Sequence, residues 1–530
     1  MVESFDAVIL GSDPNGLVAA AYLARAGRRV LVVEANETPG GAVATLEFAT
    51  GYRGSVGPDL CGLLPTHVVT DLELDRHGLD LLPLDPLVFV RAPDGRHLTL
   101  RPDHGATLAA IGQLSPHDAA AYPAFTDLVG RIASFLRPLA HRAPPDPTAD
   151  TAGDLVDLLR LGLRFRRLGR SDVHEVLRLL PTSIADVLDE RFELDVLKSV
   201  LAVQGLQGVA LGPRSAGTTA VFLSHQLGAP AWPREAWRVP RGGLGAISNA
   251  LARAAEALGV QIRTGTKTAR ILVRDDRATG IALASGDEIA ARVVVSSLDP
   301  STTFEQLLEP GTVEPEFQHE VQRIRYRGVT AKLLLALDRL PPLEGLPGPD
   351  PQPQHAGVIQ IGQDLDYLER AYDATKYGRW SEHPWLDVVV PTVLDPSLAP
   401  AGTHVMSVTA QYAPFALRQG SWVEQADRFA DRILATLEDS LPGITAAVTH
   451  RRLITPLDFH HTYGLPEGSV HQGELALDQL LFMRPIPGWS GYRTPVERLY
   501  LCGACTHPGG GLSGASGHNA SRVVLRDLAS

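Results

Sequence analysis

Residues 7–36 read AVILGSDPNGLVAAAYLARAGRRVLVVEAN, and the order of apolar and glycine residues in this stretch decides the fold. A short apolar run ends at Gly11, an Ala- and Leu-rich stretch at helical spacing begins at Leu17, and a second apolar run begins at Val30. Gly27 follows the helical stretch, as glycine often does where a helix ends. The pattern predicts a strand, a helix and a second strand, with the length of a Rossmann βαβ unit.

The turn after the first strand contains part of a dinucleotide-binding fingerprint. Gly11 and Gly16 take the first and third glycine positions of G-x-G-x-x-G. Glu34 ends the second strand, where a carboxylate can bind both hydroxyls of an adenosine ribose and disfavours a 2′-phosphate. Together with the strand order, these residues favour a dinucleotide site. The alternative is a βαβ crossover that binds no nucleotide.

Asp13 occupies the middle glycine position, where its charge conflicts with such a site. Glycine there lets the backbone approach a pyrophosphate at the helix N-terminus. A carboxylate about 4 Å from one phosphate charge is opposed by ~4 kcal/mol at an effective dielectric constant near ~20, which is about a thousandfold in affinity. Three outcomes are open: the side chain points away, the dinucleotide binds weakly, or the fold has lost its cofactor.

Length, charge and cysteine content limit the class of protein. A chain of 530 residues, 44% of them hydrophobic, is expected to form two domains that can be interleaved. The net charge of −12 argues against general nucleic-acid binding and against simple electrostatic adsorption to an anionic membrane. Three cysteines indicate a reducing compartment, and the first strand leaves no room for a signal peptide. No apolar run approaches the roughly 20 residues that span a bilayer, so we expect a cytoplasmic protein.

Two later segments extend the predicted sheet. Residues 261–297 alternate short apolar runs with the turn RDDRATG, which predicts a β-meander that returns to the sheet at residues 293–295. Residues 499–502 predict a further strand, residues 509–511 are glycines that permit close backbone approach, and Ser513 can cap a helix. Such a helix N-terminus can stabilise partial negative charge. The alternative is a strand and helix that only pack on the sheet.

The two ends of the chain together resemble a known family. Besides the opening stretch, the segments GSVHQGELALDQLLFMRPIPG (468–488) and LYLCGACTHPGGGLSGASGHNA (499–520) follow in order. Over nearly its whole length the chain resembles the phytoene-desaturase-like FAD oxidoreductases. Within them it is most similar to the group labelled pyridine nucleotide-disulfide oxidoreductase domain-containing, relatives of carotenoid desaturases and isomerases.

The resemblance implies an α/β fold with two interleaved domains. Residues 1–80, 231–300 and 485–530 would form a Rossmann-like FAD-binding domain with the β-meander, and residues 81–230 and 301–484 an α+β substrate-binding domain. The family's cofactor contacts, carried over by position, are Gly11, Ser12, Asn15 and Gly16 around the pyrophosphate, Glu34 at the adenosine ribose, Gly40 and Gly41 beside the flavin, Thr268 at the adenine, and Gly503, Ala504, Gly511, Leu512 and Ser513 along the ribityl chain and flavin ring.

Two positions depart from the family pattern. Relatives have glycine at Asp13, which puts the affinity for FAD in doubt, and usually a small residue such as glycine or serine at Cys505. Cys502 and Cys505 form a C-x-x-C that would suit a flavin-linked dithiol, but the resemblance favours two thiols without a catalytic role. His507 could move a proton, although a hydrogen-bonded structural histidine is the favoured interpretation. No residue is assigned as catalytic, and no metal is predicted.

Residues 155–170, LVDLLRLGLRFRRLGR, mix leucines with five arginines. This composition suits a helix at a membrane surface, where an enzyme acting on polyenes would collect its substrate. The favoured interpretation is a helix of the substrate domain with a solvated basic face.

The resemblance and the residues together lead to one functional hypothesis and two alternatives. The hypothesis is an FAD oxidoreductase that desaturates or isomerises an apolar isoprenoid or carotenoid-like substrate. One alternative is a cofactor-poor descendant that binds an apolar ligand without turnover, which Asp13 motivates. The other is an amine oxidase-type flavoenzyme. No sequence motif specifies the substrate, the electron acceptor or the oligomeric state, and no nucleic-acid partner is expected.

Overall fold

A computed structural model of the chain describes residues 3–145, 152–227, 237–346 and 351–529. The predicted domain boundary between residues 230 and 231 lies outside these ranges. The strands are β1 (Glu3–Leu10), β2 (Val30–Val33), β3 (Thr45–Ala49), β4 (Tyr52–Ser55), β5 (Leu81–Pro83), β6 (Val88–Arg91), β7 (His97–Leu100), β8 (Arg238–Pro240), β9 (Gln261–Arg263), β10 (Thr268–Arg274), β11 (Arg277–Leu283), β12 (Glu288–Ser296), β13 (Thr330–Leu337), β14 (Val358–Ile361), β15 (Trp385–Val389), β16 (His404–Gln411), β17 (Val448–Ile454) and β18 (Leu499–Leu501).

The helices connect and cover these strands. They are α1 (Pro14–Arg25), α2 (Thr66–Asp71), α3 (His104–Leu114), α4 (Pro116–Ala140), α5 (Ala152–Arg167), α6 (Arg170–Leu179), α7 (Ile184–Asp189), α8 (Asp195–Ala202), α9 (Thr218–Ser224), α10 (Gly245–Ala257), α11 (Pro315–Gln322), α12 (Leu365–Lys376), α13 (Trp422–Glu438), α14 (Ile444–Ala447), α15 (Pro456–Tyr463) and α16 (Ala515–Ala529). Within the described ranges, no helix combines the length and apolar character needed to cross a membrane.

The first sheet has the strand order β10-β11-β12-β1-β2-β9, with β18 also paired to β12. β1 pairs in parallel with β2 and β12, because Ala7 lies opposite both Val30 and Val293. One edge of β12 pairs first with the antiparallel β11 and then with the parallel β18. This sheet confirms the predicted βαβ unit and β-meander. It contains strands from all three segments assigned to the FAD-binding domain, whose boundaries stay a prediction.

Helices α1, α10 and α16 cover one face of the first sheet and form an apolar core with it. Leu17 of α1, Leu251 of α10 and Val524 of α16 are fully buried in this core. The N-terminal ends of α1 and α16 touch, because an added Cβ at Gly517 would lie 2.0 Å from the carbonyl oxygen of Asn15. The phosphate loop and the C-terminal glycine loop are therefore neighbours.

The second sheet has the order β17-β13-β16-β15-β14-β6-β7 and draws its strands from both segments assigned to the substrate domain. β13 is buried along its whole length because both of its faces are covered. Leu333 and neighbours of the same parity pack against α13, whereas Leu334 packs towards Val56 near the first sheet. Lys332 shares the parity of Leu334, so β13 directs a charged side chain towards the first sheet.

Candidate functional site

The N-terminus of α1 is capped by the side chain of Asp13. Its Oδ1 accepts hydrogen bonds from the backbone N–H groups of Asn15, at 2.7 Å, and Gly16, at 2.9 Å. Leu17 N–H donates to the carbonyl oxygen of Asp13, and Pro14 at the first helical position has no N–H. In this conformation, the first turn of α1 has no unpaired N–H group. The carboxylate occupies the place that a phosphate takes at a helix N-terminus.

This contact differs from the expectation that Asp13 turns towards solvent. An aspartate at the N-cap gains hydrogen bonds from the helix and a favourable interaction with its dipole, which explains the inward orientation. Desolvation nevertheless raises the pKa of Asp13 from 3.8 to about 6. The N–H groups of Gly16 and Asn15 and the hydroxyl of Ser297 lower this pKa, and nearby Glu34 raises it. Asp13 therefore titrates close to neutral pH.

Glu34 joins the phosphate loop to the end of β2. Its Oε2 accepts hydrogen bonds from the backbone N–H of Ser12, at 2.9 Å, and from the Ser12 hydroxyl, at 2.6 Å. Its Oε1 accepts from the N–H of Asn36 at 2.9 Å. The Ser12 hydroxyl also accepts from the N–H of Gly40 at 3.2 Å. Each carboxylate oxygen keeps a lone pair for a further donor, which suits a ribose hydroxyl.

The glycines of the loop are required by close backbone packing. An added Cβ at Gly16 would lie 2.4 Å from the carbonyl oxygen of Gly11, and one at Gly11 would lie 2.5 Å from Ser297 Oγ. At Gly503 it would lie 2.2 Å from the carbonyl oxygen of Ser297. Ser297 follows β12 and joins the N-terminal and C-terminal loops. Sequence reasoning missed it, although the paired serines that end the apolar run of the meander mark the place.

The other predicted cofactor residues lie around the same two loops. Asn15 is buried, and its Oδ1 has no hydrogen-bond partner among the described residues. Gly40 is in close contact with Ser248, whereas nothing lies within 4 Å of an added Cβ at Gly41. Thr268 begins β10, two residues after Thr266, whose N–H donates to the carbonyl oxygen of Glu34. Their contacts with the cofactor stay predictions.

The C-terminal loop is held from behind by Arg484, which sequence reasoning did not assign. This guanidinium is 2% exposed, and its described hydrogen bonds all go to backbone carbonyl oxygens. The acceptors are His471, Gly473, Glu474, Gln479 and Ala504. Desolvation lowers the pKa of Arg484 to about 10, so the side chain is charged at neutral pH. It places a buried positive charge beside Ala504.

The remaining residues of the C-terminal loop approach α16 and the sheet. Gly511 has a φ of +96°, and an added Cβ there would lie 2.6 Å from Leu63 Cδ1. Leu512 packs against the apolar core of the first sheet. The hydroxyl of Ser513 accepts a hydrogen bond from Ala515 N–H at 3.2 Å, which agrees with the predicted cap of α16.

Cys502 and Cys505 are buried free thiols. Desolvation raises the pKa of both thiols well above the ordinary value. A redox dithiol needs an accessible thiolate, so these surroundings favour the interpretation of two unreactive thiols.

His507 is 1% exposed, and its Nε2 donates to the carbonyl oxygen of Leu139 at 2.8 Å. Desolvation lowers the pKa of His507 to about 4, which keeps the ring neutral at pH 7. Its own backbone carbonyl accepts hydrogen bonds from the hydroxyls of Tyr492, at 2.7 Å, and Ser516, at 3.0 Å. These contacts support the structural interpretation of this histidine.

A buried ion pair and a buried histidine lie outside every sequence motif. Lys332 donates to Asp59 and to the Thr409 hydroxyl, and the Lys332 and Asp59 side chains are 2% and 4% exposed. His471, 5% exposed, lies between the second sheet's loops and the C-terminal loop, and its Nε2 is 2.9 Å from the carbonyl oxygen of Gln207. A lone lysine in an apolar strand was the only available sequence signal.

A narrow cavity adjoins the C-terminal loop. The residues that line it are Leu63, Ala140, His141, Ser224, His225, Leu227, Leu475, Pro508, Gly510, Ser513 and Ala515. Most of this lining is apolar, and none of the described lining residues carries a carboxylate.

One group of side chains has ligand atoms close enough for a metal ion: His117, Asp118 and Glu193 lie within 4.8 Å of one another. The buried Asp118 already accepts hydrogen bonds from the N–H groups of Glu193 and Leu194, and so holds the start of α8. This capping role accounts for the group without a metal.

The residues of the two loops fit FAD. The glycine contacts leave no room for side chains, Glu34 retains acceptor capacity, and the buried Asn15 Oδ1 lacks a partner among the described residues. The pyrophosphate would be held by the N-terminus of α1, whose N–H groups become available when the Asp13 carboxylate leaves them. Gly503, Gly511 and Ser513 would lie beside the flavin.

Comparisons with known proteins agree with this site. A family model described as flavin containing amine oxidoreductase matches residues 15–525. The chain is 37% identical to the Mus musculus pyridine nucleotide-disulfide oxidoreductase domain-containing protein 2, covering 99% of this chain and 94% of the relative. It is 26% identical to a limonene dehydrogenase polypeptide of Castellaniella defragrans, covering 99% and 95%. It is 28% identical to a neurosporene-forming phytoene desaturase of Cereibacter sphaeroides, covering 99% and 94%.

The fold is shared with solved structures. An oxidoreductase from Methanosarcina mazei has a TM-score of 0.60 at 18% identity, covering 98% of this chain and 99% of that chain. The sequence matches confirm the resemblance to phytoene-desaturase-like enzymes and support FAD as the cofactor. Matched over nearly its whole length, the chain belongs to the family of flavin containing amine oxidoreductases.

Proposed function

We propose that this FAD-dependent oxidoreductase desaturates or isomerises an apolar isoprenoid or carotenoid-like substrate. The observation that carries the proposal is the cavity beside the C-terminal loop, whose described lining has no carboxylate. An amine substrate is a cation at neutral pH, and burying a cation without an anionic partner costs several kcal/mol, on the order of the penalty for any unpaired buried charge. An apolar chain meets no such penalty there.

The names of two relatives point in the same direction. Limonene and phytoene are both isoprenoid hydrocarbons, and the relatives named for acting on them match 99% of this chain. The family description, by contrast, names amine oxidation. We therefore keep amine oxidation as the competing function, which the experiment below separates. The cofactor-poor alternative is disfavoured by the family but is tested by FAD titration.

Desaturation needs a hydride acceptor and a proton acceptor in a dry site. FAD, when bound, supplies the hydride acceptor. The chain supplies the surroundings, and the buried positive charge of Arg484 next to Ala504 favours a group that gains negative charge.

His471 is the candidate proton acceptor. The carbonyl of Gln207 can only accept, so the 2.9 Å contact places the proton of the ring on Nε2. Desolvation lowers the pKa of His471 to about 3, so the ring is neutral at pH 7 and Nδ1 carries a free lone pair. Nδ1 is buried without a described partner, and an added Cβ at Gly510, a cavity residue, would lie 2.3 Å from it.

The proposal is tested by anaerobic mixing of the FAD-loaded protein with a long isoprenoid polyene or with a diamine. We expect the polyene alone to bleach the flavin absorbance near ~450 nm, a property of the cofactor. Isomerisation leaves no net reduction, so the polyene is also recovered from chemically reduced enzyme and analysed for geometric isomers. Bleaching by the diamine with no change in the polyene under either condition would overturn the proposal in favour of amine oxidation.

The variant His471→Gln tests the proton acceptor. A glutamine amide can keep the hydrogen bond to Gln207 but offers no base, so the rate of flavin reduction by the polyene should fall by about 10²–10⁴-fold. FAD affinity should not change, which serves as the internal control. An unchanged rate would exclude His471 from proton transfer.

A reducing compartment such as the cytoplasm is part of the proposal. Support comes from the three cysteines, which are all free and buried.

A further inference from the structure

Helix α5 exposes a stripe of large apolar side chains. Leu155, Leu159 and Leu163 are 67%, 64% and 50% exposed, and Val156 is 43% exposed. The three leucines are spaced four residues apart, so they lie along one side of the helix. Exposed leucines are ordinary when they are scattered, but a continuous stripe of them marks an interaction surface.

The stripe is distinct from the face by which α5 packs on the protein. Phe165 packs against the core of the substrate-domain helices, and its ring lies 5.6 Å from that of Phe135 on α4. On a helical projection, Phe165 lies well away from the line of Leu155, Leu159 and Leu163. The helix is therefore anchored by one apolar face and presents a second one outwards.

Arginines border the exposed stripe. Arg164, Arg166, Arg167 and Arg170 are exposed, and none has an ion-pair partner in the described parts of the chain. Other surface arginines commonly pair; Arg178, for example, lies 2.9 Å from Glu190. Unpaired positive charge beside exposed leucines is the pattern of a helix that lies in the interface of an anionic membrane.

We propose that α5 docks on an anionic lipid surface, with the stripe of Leu155, Leu159 and Leu163 in the acyl boundary and the arginines at the headgroups. The net charge of −12 does not prevent this, because charges beyond a Debye length of about 8 Å are screened at physiological salt. A second copy is a poorer occupant, since a symmetric dimer through this face would place two arginine clusters together. The inference does not rest on the proposed substrate.

The test uses FAD-loaded, full-length protein and large unilamellar vesicles, and it measures co-flotation without any turnover. One set of vesicles is pure phosphatidylcholine, and the other contains phosphatidylglycerol as about a third of the lipid. We expect binding to the anionic set only, and weaker binding as salt is raised.

Two variants divide the apolar and electrostatic parts of the proposal. The triple change Leu155→Gln, Leu159→Gln and Leu163→Gln should lower vesicle affinity by about tenfold or more. The triple change Arg164→Glu, Arg166→Glu and Arg167→Glu should lower it by roughly a hundredfold at low salt, since each positive charge near the surface contributes about a fivefold gain. The matched control is Val423→Gln on α13, an exposed apolar residue that is 85% exposed.

Each outcome decides for or against the proposal. Loss of flotation in both triple variants, with native flavin absorbance and an unchanged Val423→Gln control, supports it. Failure of the unmodified protein to float with anionic vesicles would overturn it, as would equal flotation by the variants. A concentration-dependent dimer that the glutamine variant dissociates, without vesicle binding, would assign the face to a second copy instead.

Discussion

Replacing Asp13 should strengthen FAD binding, because its carboxylate holds the N–H groups that a pyrophosphate needs. Asp13→Asn removes the charge and keeps a side chain that can cap α1. Asp13→Gly removes the cap as well, at a helix-stability cost of a few tenths of a kcal/mol. We expect FAD affinity in the order Asp13→Gly, Asp13→Asn and then the unmodified chain.

The size of the effect follows from the charge and from the titration of Asp13. Repulsion of ~4 kcal/mol between a carboxylate and a phosphate at about 4 Å sets an upper limit of about a thousandfold in Kd. Desolvation raises the pKa of Asp13 to about 6. If the neutral form alone admits FAD, the competent fraction rises from ~1% near pH 8 to ~50% near pH 6. Affinity should then rise about 50-fold as pH falls over that range.

The assay is titration of FAD-depleted protein with FAD, followed by the quenching of flavin fluorescence at several pH values. Both Asp13 variants should lose the pH dependence, since they lack the titrating group. Asp103→Asn is the matched control: Asp103 caps α3 in the same way, by accepting from Ala106 N–H at 2.6 Å. It should leave both the affinity and its pH dependence unchanged.

Three results would refute this reasoning. Equal and pH-independent affinity in all forms would show that the carboxylate does not compete with the pyrophosphate. Tighter binding by the unmodified chain would show that Asp13 assists binding. Absence of binding in every form would show that the two loops do not form an FAD site.

Three further predictions concern buried groups. Replacing both Cys502 and Cys505 by serine should leave flavin reduction nearly unchanged, and a loss of reduction in stopped-flow traces would establish a redox dithiol. Burial lowers the folded-state pKa of His507 to about 4, so the stability it contributes should be complete above about pH 6.5 and decline on acidification at about 1.4 kcal/mol per pH unit; urea unfolding of His507→Gln should show a correspondingly shallower pH dependence. Asp59→Asn should lower the free energy of unfolding by about 3–5 kcal/mol, because it leaves the Lys332 cation buried and unpaired; an unchanged urea midpoint would contradict this.

The sequence by itself determined the parts of the molecule that depend on local pattern. Apolar periodicity and glycine positions are properties of adjacent residues, so they predicted β1, α1, β2 and the meander. The C-terminal strand β18 and the cap at Ser513 followed in the same way. Asp13 was recognised as an exception because its charge is visible without any coordinates.

Only the tertiary structure decided where that charge points and which distant groups meet. The Asp13 carboxylate could have faced solvent, and the geometry of the first turn of α1 directs it to two N–H groups instead. Lys332 and Asp59 are 273 residues apart, and His507 and Leu139 are 368 apart. No local pattern records such pairs, because a buried charge or imidazole is stabilised by partners that only the folded sheets bring within hydrogen-bond distance.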